Sequence, residues 1–270
     1  MSTNSPYAKK SLGQHWLHDQ ASLDAIVDAA DIGLNDTVLE IGPGPGALTA
    51  KIAPRARQVV AVEFDERLAR DLPVRVPAAN LRVVHQDILE FDLSKLPPGY
   101  KVVANIPYYL TSNVLRRLCE SVNPFTSAAI LIQKEVAERV CAAPGAMSML
   151  SVSVQFYCEV GLGEIVPAYL FTPAPKVDSQ ILRLRHRPHP LFSDVDTKQF
   201  FRIVKAGFSQ RRKTLLNALS AGLQLNKVQT NELLSRADIA PATRAQNLDL
   251  AAWHALYQAY TTLSERPESL

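Results

Sequence analysis

Five short apolar segments, each followed by a helical pattern or a turn, constrain the fold of this 270-residue chain more than any other feature. They are Thr37 to Ile41, Gln58 to Glu63, Leu81 to His85, Lys101 to Ala104 and Ser127 to Ile132. Strands that are apolar almost throughout, in alternation with helices, predict a parallel sheet covered on both faces. Ligands of such sheets bind at the carboxyl ends of the strands. Those ends carry glycines, carboxylates and an asparagine here, so we predict an α/β fold with its site at that edge.

The pattern changes near Pro188-His189-Pro190, which follows a strand-like segment from Ser179 to Arg187. From Asp196 onward, apolar residues recur at helical spacing. The predicted helices are Thr197 to Phe208, Arg211 to Ala221, Lys227 to Ala237 and Leu250 to Thr262. We therefore predict two domains, an α/β domain of residues 1–187 and a small all-helical domain of residues 188–270.

The composition indicates a globular protein with a real core, since 47% of residues are hydrophobic and 20% are charged. No apolar run approaches the roughly 20 residues of a membrane span, and the first ten residues show no targeting pattern. The three widely spaced cysteines show neither metal-ligand spacing nor a disulfide framework. We expect a cytoplasmic monomer with no metal site and no membrane partner.

Positive charge is concentrated in one part of the chain. Residues 183–213 contain nine basic and two acidic residues, whereas the net charge of the whole chain is +3. The basic residues are Arg183, Arg185, Arg187, Lys198, Arg202, Lys205, Arg211, Arg212 and Lys213. A positive block on a slightly acidic body favours a polyanion partner, with nucleic acid as the first candidate. A solvated basic face without a ligand is the alternative.

The glycine-rich loop Gly42 to Gly46 follows the first of the five strands and indicates a cofactor with an adenosine. Glu63 could accept both ribose hydroxyls of such a cofactor. The loop alone does not separate NAD from S-adenosylmethionine. Two prolines in the loop, the lack of a charge complement for a pyrophosphate, and Asp87 at the third strand end favour S-adenosylmethionine. Glu63 and Asp87 could also cap the helices that follow them.

The tetrapeptide Asn105-Ile106-Pro107-Tyr108 ends the fourth strand. The Asn105 side-chain oxygen and the Ile106 carbonyl can each accept one N–H of an amino group on a flat ring, and Tyr108 can stack on that ring. Pro107 stiffens the turn without adding a donor. Two such acceptors would favour a pyramidal adenine N6 whose lone pair points at an electrophile. Asn-x-Pro also ends ordinary strands, so the tetrapeptide alone leaves both interpretations open.

Several segments, taken in order, resemble the ribosomal RNA adenine dimethyltransferase family, which is close to the erythromycin-resistance methylases. They are Ser11 to Leu17, Val38 to Thr49, Glu63 and Asp87, Asn105 to Tyr108, Phe171 to Ser179, and Phe208 to Leu215. The resemblance spans nearly the whole chain, and the last three segments are much more specific than the glycine loop. The chain has His15-Trp16 where many members carry Asn-Phe.

The resemblance implies a Rossmann-like class I methyltransferase domain followed by a helical RNA-binding domain. It also implies transfer of two methyl groups from S-adenosylmethionine to N6 of each of two adjacent adenosines near the 3′ end of small-subunit (16S) ribosomal RNA. The partner would be this RNA within the immature small ribosomal subunit.

The resemblance further implies three sets of site residues. The catalytic set is Asn105, Ile106, Pro107, Tyr108 and Phe171. The cofactor set is His15, Leu17, Gly42, Gly44, Gly46, Glu63, Asp87, Ile88 and Asn105. The RNA-binding set is Arg202, Lys205, Arg211, Arg212 and Lys213.

Three other functions compete with this hypothesis. The first is an N6-adenine methyltransferase acting on large-subunit RNA or on DNA. The second is a mainly non-catalytic assembly factor that docks on the immature small subunit. The third is a nicotinamide oxidoreductase, which would need a catalytic Lys, Tyr or His beside a hydride-accepting pocket, and no such set stands out.

Overall fold

A mixed sheet with helices is the architecture of the first part of the chain in the computed structural model, which describes residues 12–189, 191–210 and 212–264. The strands are β1 (Trp16–Leu17), β2 (Thr37–Ile41), β3 (Gln58–Glu63), β4 (Leu81–His85), β5 (Lys101–Asn105), β6 (Ser127–Gln133), β7 (Cys158–Val166), β8 (Phe171–Thr172) and β9 (Ser179–His186). The helices are α1 (Gln20–Ala29), α2 (Thr49–Ile52), α3 (Glu66–Arg75), α4 (Thr111–Cys119), α5 (Lys134–Val140), α6 (Met149–Tyr157), α7 (Thr197–Phe208), α8 (Leu215–Leu223), α9 (Lys227–Arg236) and α10 (Leu250–Ser264).

Seven strands form one sheet in the order β4-β3-β2-β5-β6-β9-β7. The first five of these pair in parallel, and β9 and β7 add two antiparallel strands at one side. All five residues of β2 are buried, as expected for a strand covered on both faces. The predicted α/β, Rossmann-like class is confirmed, and each of the five predicted strands lies within one residue of its predicted bounds.

The chain reverses its direction of travel across the sheet between β2 and β5. After β2 it continues to β3 and β4 on one side, and it then returns to place β5 on the other side of β2. A crevice forms at such a reversal, outside the carboxyl ends of the strands. The loops after β2 and β5 therefore face each other across this crevice.

A second sheet of two short strands joins distant parts of the chain. Trp16 of β1 lies opposite Thr172 of β8, and Leu17 lies opposite Phe171, in antiparallel pairing. The backbone N–H of His18 donates to the carbonyl of Leu170 at 3.4 Å. This pairing brings the predicted amino-terminal cofactor segment beside the segment that begins at Phe171.

The chain divides into two compact units, one of residues 1–138 and 158–187 and one of residues 139–157 and 188–270. The segment 139–157, which the sequence placed in the first domain, belongs to the second unit. The physical reason is burial, because Val152 and Phe156 of α6 share a hydrophobic core with Phe200 of α7 and Trp253 of α10. The second unit is otherwise built from α7 to α10.

Side-chain caps fix where two of these helices begin. The carboxylate of Asp196 accepts from the N–H of Gln199 at the start of α7. Asn226 and Gln229 form a reciprocal capping box at the start of α9. By contrast, α8 begins at Leu215 and not at the predicted Arg211; residue 211 lies outside the described residues, and residues 212–214 precede the helix.

Candidate active site

The glycine-rich loop after β2 has a backbone shape that side chains resist. Gly44 has φ +57°, and its N–H donates to Oε2 of Glu63 at 3.0 Å. Gly46 has φ +95°, and a Cβ there would lie 2.7 Å from Leu72 and 2.8 Å from Val76 of the segment at α3. Gly44 therefore holds the loop against Glu63, whereas Gly46 lets the loop pack closely on α3.

Glu63 ends β3 and is only 5% exposed. Its Oε1 accepts from the N–H of Asp65 at 2.8 Å, and its Oε2 accepts from Gly44. Burial raises the pKa of the Glu63 carboxyl, while these N–H donors oppose that rise by stabilising the charged form. The cap of α3 is Asp65, which accepts from the N–H groups of Arg67 and Leu68. Glu63 is therefore held against the glycine loop and is not the cap of α3.

Two clefts meet at the carboxyl ends of the strands, and Gly42, Glu63, Ile106 and Pro107 line both. The first cleft is also lined by His15, Trp16, Leu17, Gly44, Asn105, Tyr108 and Phe171. The second cleft is also lined by Phe64, Asp87, Ile88 and Tyr109. The structure thus brings together all the predicted catalytic residues in the first cleft. It divides the predicted cofactor residues between the two clefts, with Gly46 outside both.

Asp87 lies shortly after β4, where it closes a turn and lines the second cleft. Its Oδ1 accepts from the N–H of Leu89 at 2.8 Å, which closes the turn after the strand. The same residue lines the second cleft beside the buried Ile88. The turn-closing contact and a contact with a ligand are compatible, because a carboxylate has a second oxygen.

Asn105 is the last residue of β5, where it pairs with Leu131 of β6. Its side-chain amide forms no hydrogen bond with any residue in the part of the chain that the structure describes. A half-buried amide at the wall of a cleft, held by a strand and left without a protein partner, is available to bind a ligand.

Tyr108 begins a 3-10 turn directly after Pro107. Its hydroxyl is 2.8 Å from Oγ of Ser179, and its ring lies 5.8 Å from the ring of His15 at an interplanar angle of 20°. Burial raises the pKa of the Tyr108 hydroxyl, so the ring is uncharged at neutral pH. Tyr108 is therefore a fixed aromatic wall of the first cleft.

His15 supports this wall. Its Nδ1 lies 2.6 Å from the carbonyl oxygen of Pro173, and a carbonyl can only accept, so Nδ1–H donates. The neighbouring Trp16 lies against the glycine loop, since its Nε1 would be 3.7 Å from a Cβ at Gly44. His15 thus lines the first cleft and stacks on Tyr108, and its role in cofactor binding stays a prediction.

Sequence reasoning assigned no role to Ser179, Trp16 and Phe64, although all three shape the clefts. Ser179 was visible only as the last residue of the segment that starts at Phe171. Its contact with Tyr108 joins residues 71 positions apart, and no local pattern reveals such a pairing. Phe64 could have been found from its position directly after Glu63.

The predicted RNA-binding residues lie in the second unit. Arg202 and Lys205 are exposed on α7, and Arg212 and Lys213 are exposed on the turn before α8. Arg211 lies outside the described residues. Among the residues that the structure describes, none of these four cations forms an ion pair. Phe208 ends α7 and Leu215 begins α8, and the described residues between them belong to neither helix, so this segment is not the single basic helix that the resemblance implied.

Part of the basic block serves the fold instead. Arg183 donates to the carbonyl of Leu162 at 3.1 Å, and Arg187 lies 3.5 Å from the carboxylate of Glu159. The first contact ties β9 to β7, and the second ties the residue directly after β9 to β7. No group of three or more His, Cys, Asp or Glu side chains that could hold a metal ion occurs within residues 12–189, 191–210 and 212–264. In the same ranges, no helix has the length and apolar character that crossing a membrane requires.

Comparison with known proteins places this arrangement in a family. The profile of the family described as "Ribosomal RNA adenine dimethylase" matches residues 6–262. Ribosomal RNA small subunit methyltransferase A of Dehalococcoides mccartyi is 42% identical over 258 residues, which cover 94% of this chain and 89% of that protein. The protein of the same name from Bacillus mycoides is 40% identical over 93% of this chain and 90% of its own length.

Solved structures agree with the sequence comparisons. A dimethyladenosine transferase from Plasmodium falciparum superposes with a TM-score of 0.78 at 27% identity, covering 93% of this chain and 98% of that chain. The 23S rRNA methyltransferase ErmE superposes with a TM-score of 0.72 at 29% identity, covering 90% of this chain and 98% of that chain. With the family match spanning nearly its whole length, the chain belongs to the ribosomal RNA adenine dimethylase family.

Proposed function

We propose that this protein transfers methyl groups from S-adenosylmethionine to N6 of two adjacent adenosines near the 3′ end of small-subunit ribosomal RNA, in the cytoplasm. The observation that carries the proposal is the first cleft, where the unpartnered Asn105 amide stands beside Tyr108 and Phe171. The relatives at 40–42% identity carry small-subunit methyltransferase names, which favours this RNA over the 23S substrate in the name of ErmE.

The residues of the two clefts fit S-adenosylmethionine. The carboxylate of Glu63, shared by both clefts, would accept the ribose hydroxyls. Asp87 would accept an amino hydrogen of the adenine, which Ile88 and Phe64 would enclose with apolar surface in the second cleft. The loop at Gly44 would leave room for the methionine portion to pass from one cleft to the other. The bound cofactor supplies a methyl group on a sulfonium, whose leaving group is neutral.

The target adenine would enter the first cleft after leaving its stack. Tyr108 and Phe171 would hold the two faces of its ring. The Asn105 oxygen and the Ile106 carbonyl would each accept one N6–H, which aims the nitrogen lone pair at the methyl group. Alignment of this kind supplies much of the rate of a transfer that needs no Lewis acid.

The reaction requires little proton transfer by side chains of the protein. The N–C bond would form as the S–C bond breaks, and the positively charged nitrogen would then lose a proton to water. Tyr108 stays neutral because burial raises its pKa, and the Glu63 oxygens already accept two backbone N–H groups. We therefore expect no strong general base.

The proposal is tested by methyl transfer from labelled S-adenosylmethionine to unmethylated small ribosomal subunits, followed by nucleoside mass spectrometry. Dimethyladenosine at two adjacent positions is the expected product. The matched control is Asn105→Ala, which should bind the cofactor nearly as well as the natural protein while losing turnover by orders of magnitude.

Other outcomes identify the competing functions. Cofactor binding without transfer to this particle, together with transfer to large-subunit RNA or DNA, would replace the proposed substrate. Binding to the particle with full effect on its assembly and no transfer would indicate an assembly factor. Retained nicotinamide cofactor, detected by mass spectrometry of the purified protein, would indicate an oxidoreductase.

A further inference from the structure

Among the described residues, the exposed aromatic side chains lie in one region of the first unit. Within the described residues, three aromatic side chains are exposed: Phe64 at 58%, Tyr109 at 64% and Tyr169 at 79%. Phe64 directly follows β3, Tyr109 follows the tetrapeptide after β5, and Tyr169 lies two residues before β8. All three therefore lie near the carboxyl ends of the strands, where the clefts open.

Two of these rings lie where the proposed function places the cofactor. Phe64 and Tyr109 line the second cleft, where the cofactor adenine would bind. Tyr169 lines neither cleft and is the most exposed of the three. Tyr169 is a large aromatic ring that is open to solvent beside the first cleft. A ligand of this ring would therefore be a group other than the cofactor adenine.

The backbone that carries Tyr169 is held in place on both sides. The Ala168 N–H donates to Oδ1 of Asp178 at 2.9 Å, and the Leu170 N–H donates to the carbonyl of Pro167 at 3.1 Å. Leu170 packs on the core of the first unit, and the next residue, Phe171, is paired with β1. The ring of Tyr169 is thus presented to solvent on a fixed 3-10 turn.

We propose that Tyr169 is a stacking platform for the RNA nucleotide adjacent to the adenosine that occupies the first cleft. Two residues of chain span at most about 7 Å, so Tyr169 lies within reach of a nucleotide joined to a base held by Phe171. Aromatic rings in this setting bind bases of single-stranded nucleic acid by their faces. Lys176 is exposed on the segment that Asp178 ties to the same turn, and its charge suits the phosphates of that strand.

This inference rests on the proposed function and adds a specificity-determining contact to it. With two adjacent target adenosines, the neighbour of the base in the cleft is the other target. Tyr169 would then hold one adenosine while its neighbour is methylated. Since the contact is equally present before and during the transfer, its loss should raise KM for the particle and leave kcat nearly unchanged.

The test compares Tyr169→Ala, Tyr169→Leu and Tyr169→Phe in steady-state methylation of unmethylated small ribosomal subunits. Val122→Ala is the matched control, because Val122 is 95% exposed in the connection that follows α4, at the opposite end of the strands. The dissociation constant for S-adenosylmethionine of each variant shows that the first unit is folded. From the strength of base–aromatic stacking, the Ala and Leu variants should raise KM by about 5- to 150-fold. The Phe and Val122 variants should match the natural protein.

Each outcome decides the inference. An unchanged KM in Tyr169→Ala, or a Leu variant that matches the Phe variant, would overturn stacking while leaving the proposed function intact. A fall in kcat at constant KM would likewise contradict a uniform binding contact. If the natural protein binds the cofactor but methylates no small subunit, the proposed function fails, and this inference fails with it.

Discussion

Glu40 gives a quantitative prediction, because its carboxyl group is fully buried. It lies in the middle of β2 and has no exposed surface. Neither of its side-chain oxygens has a hydrogen-bond partner among the described residues. Burial raises the pKa of Glu40 from 4.5 to about 8, the nearby hydroxyl of Thr49 opposes the rise, and the charge of Glu63 adds to it. Glu40 is therefore protonated in the folded protein at neutral pH.

The sign of the pH dependence follows from proton counting. Between pH 4.5 and about 8, the folded state keeps the Glu40 proton and the unfolded state has lost it. The unfolded state then binds fewer protons, so the free energy of unfolding falls as the pH rises, by about 1.4 kcal/mol per pH unit. Over the whole interval the loss is about 5 kcal/mol. Below and above the interval this group contributes no slope.

Glu40→Gln replaces the titrating carboxyl group by an amide of nearly the same shape, which does not titrate. Urea unfolding of both proteins, followed by circular dichroism from pH 5 to 9, gives the difference in unfolding free energy. The buried amide should change the free energy of unfolding by the same amount at every pH, so the pH dependence of the difference is the test. The stability of the variant relative to the natural protein should rise with pH up to about pH 8 and then stay constant. The control Glu164→Gln, on an exposed glutamate of β7, should give no slope. The reasoning would be refuted if the difference in unfolding free energy between Glu40→Gln and the natural protein did not change with pH. It would also be refuted if the side-chain carbon resonance of Glu40 titrated near the ordinary glutamate pKa of 4.5.

Three further predictions concern the site and the RNA surface. Ser179→Ala should remove the hydrogen bond that fixes Tyr108 and lower kcat about three- to tenfold. Tyr108→Phe should lower the rate by the same factor. In single-turnover assays, the double variant should be no slower than either single variant. Gly46→Ala should lower the unfolding free energy by roughly 2 kcal/mol or more, because its backbone is left-handed and its Cβ would lie 2.7 Å from a leucine side chain; chemical denaturation measures this, and an unchanged midpoint would contradict it. Replacing Arg212 and Lys213 by Ala should reduce the slope of log K for particle binding against log salt by about 1 to 2, and an unchanged slope would remove this turn from the RNA contact.

The inner parallel strands of the sheet could be predicted from sequence because they are buried on both faces. Each of β2, β3, β5 and β6 is a largely apolar run that can be recognised without knowledge of its neighbours, whereas the edge strand β4 has no buried residue. The residues that follow β2, β3, β4 and β5 could then be placed at one edge by geometry alone. Most of the candidate site follows from those strand ends.

The remaining elements depend on contacts that local sequence does not encode. β1 and β8 have two residues each, which is too short for any periodicity. Helix α6 has apolar residues at alternate positions from Leu150 to Phe156, a strand-like pattern. It is nevertheless a helix, because Val152 and Phe156 pack into the core of the second unit and Ser151 bonds to the carbonyl of Arg139 at 2.6 Å. Tertiary packing outweighs the local pattern there.

The pairing of β1 with β8 sets the order in which the site is completed during synthesis. The contact of His15 with Pro173 spans 158 positions, so the segment made first can take its final place only after most of the first unit has left the ribosome. The glycine loop, Glu63 and the tetrapeptide are all made while the first cleft still lacks one wall. A nascent chain therefore has no complete base-binding cleft until β8 is available.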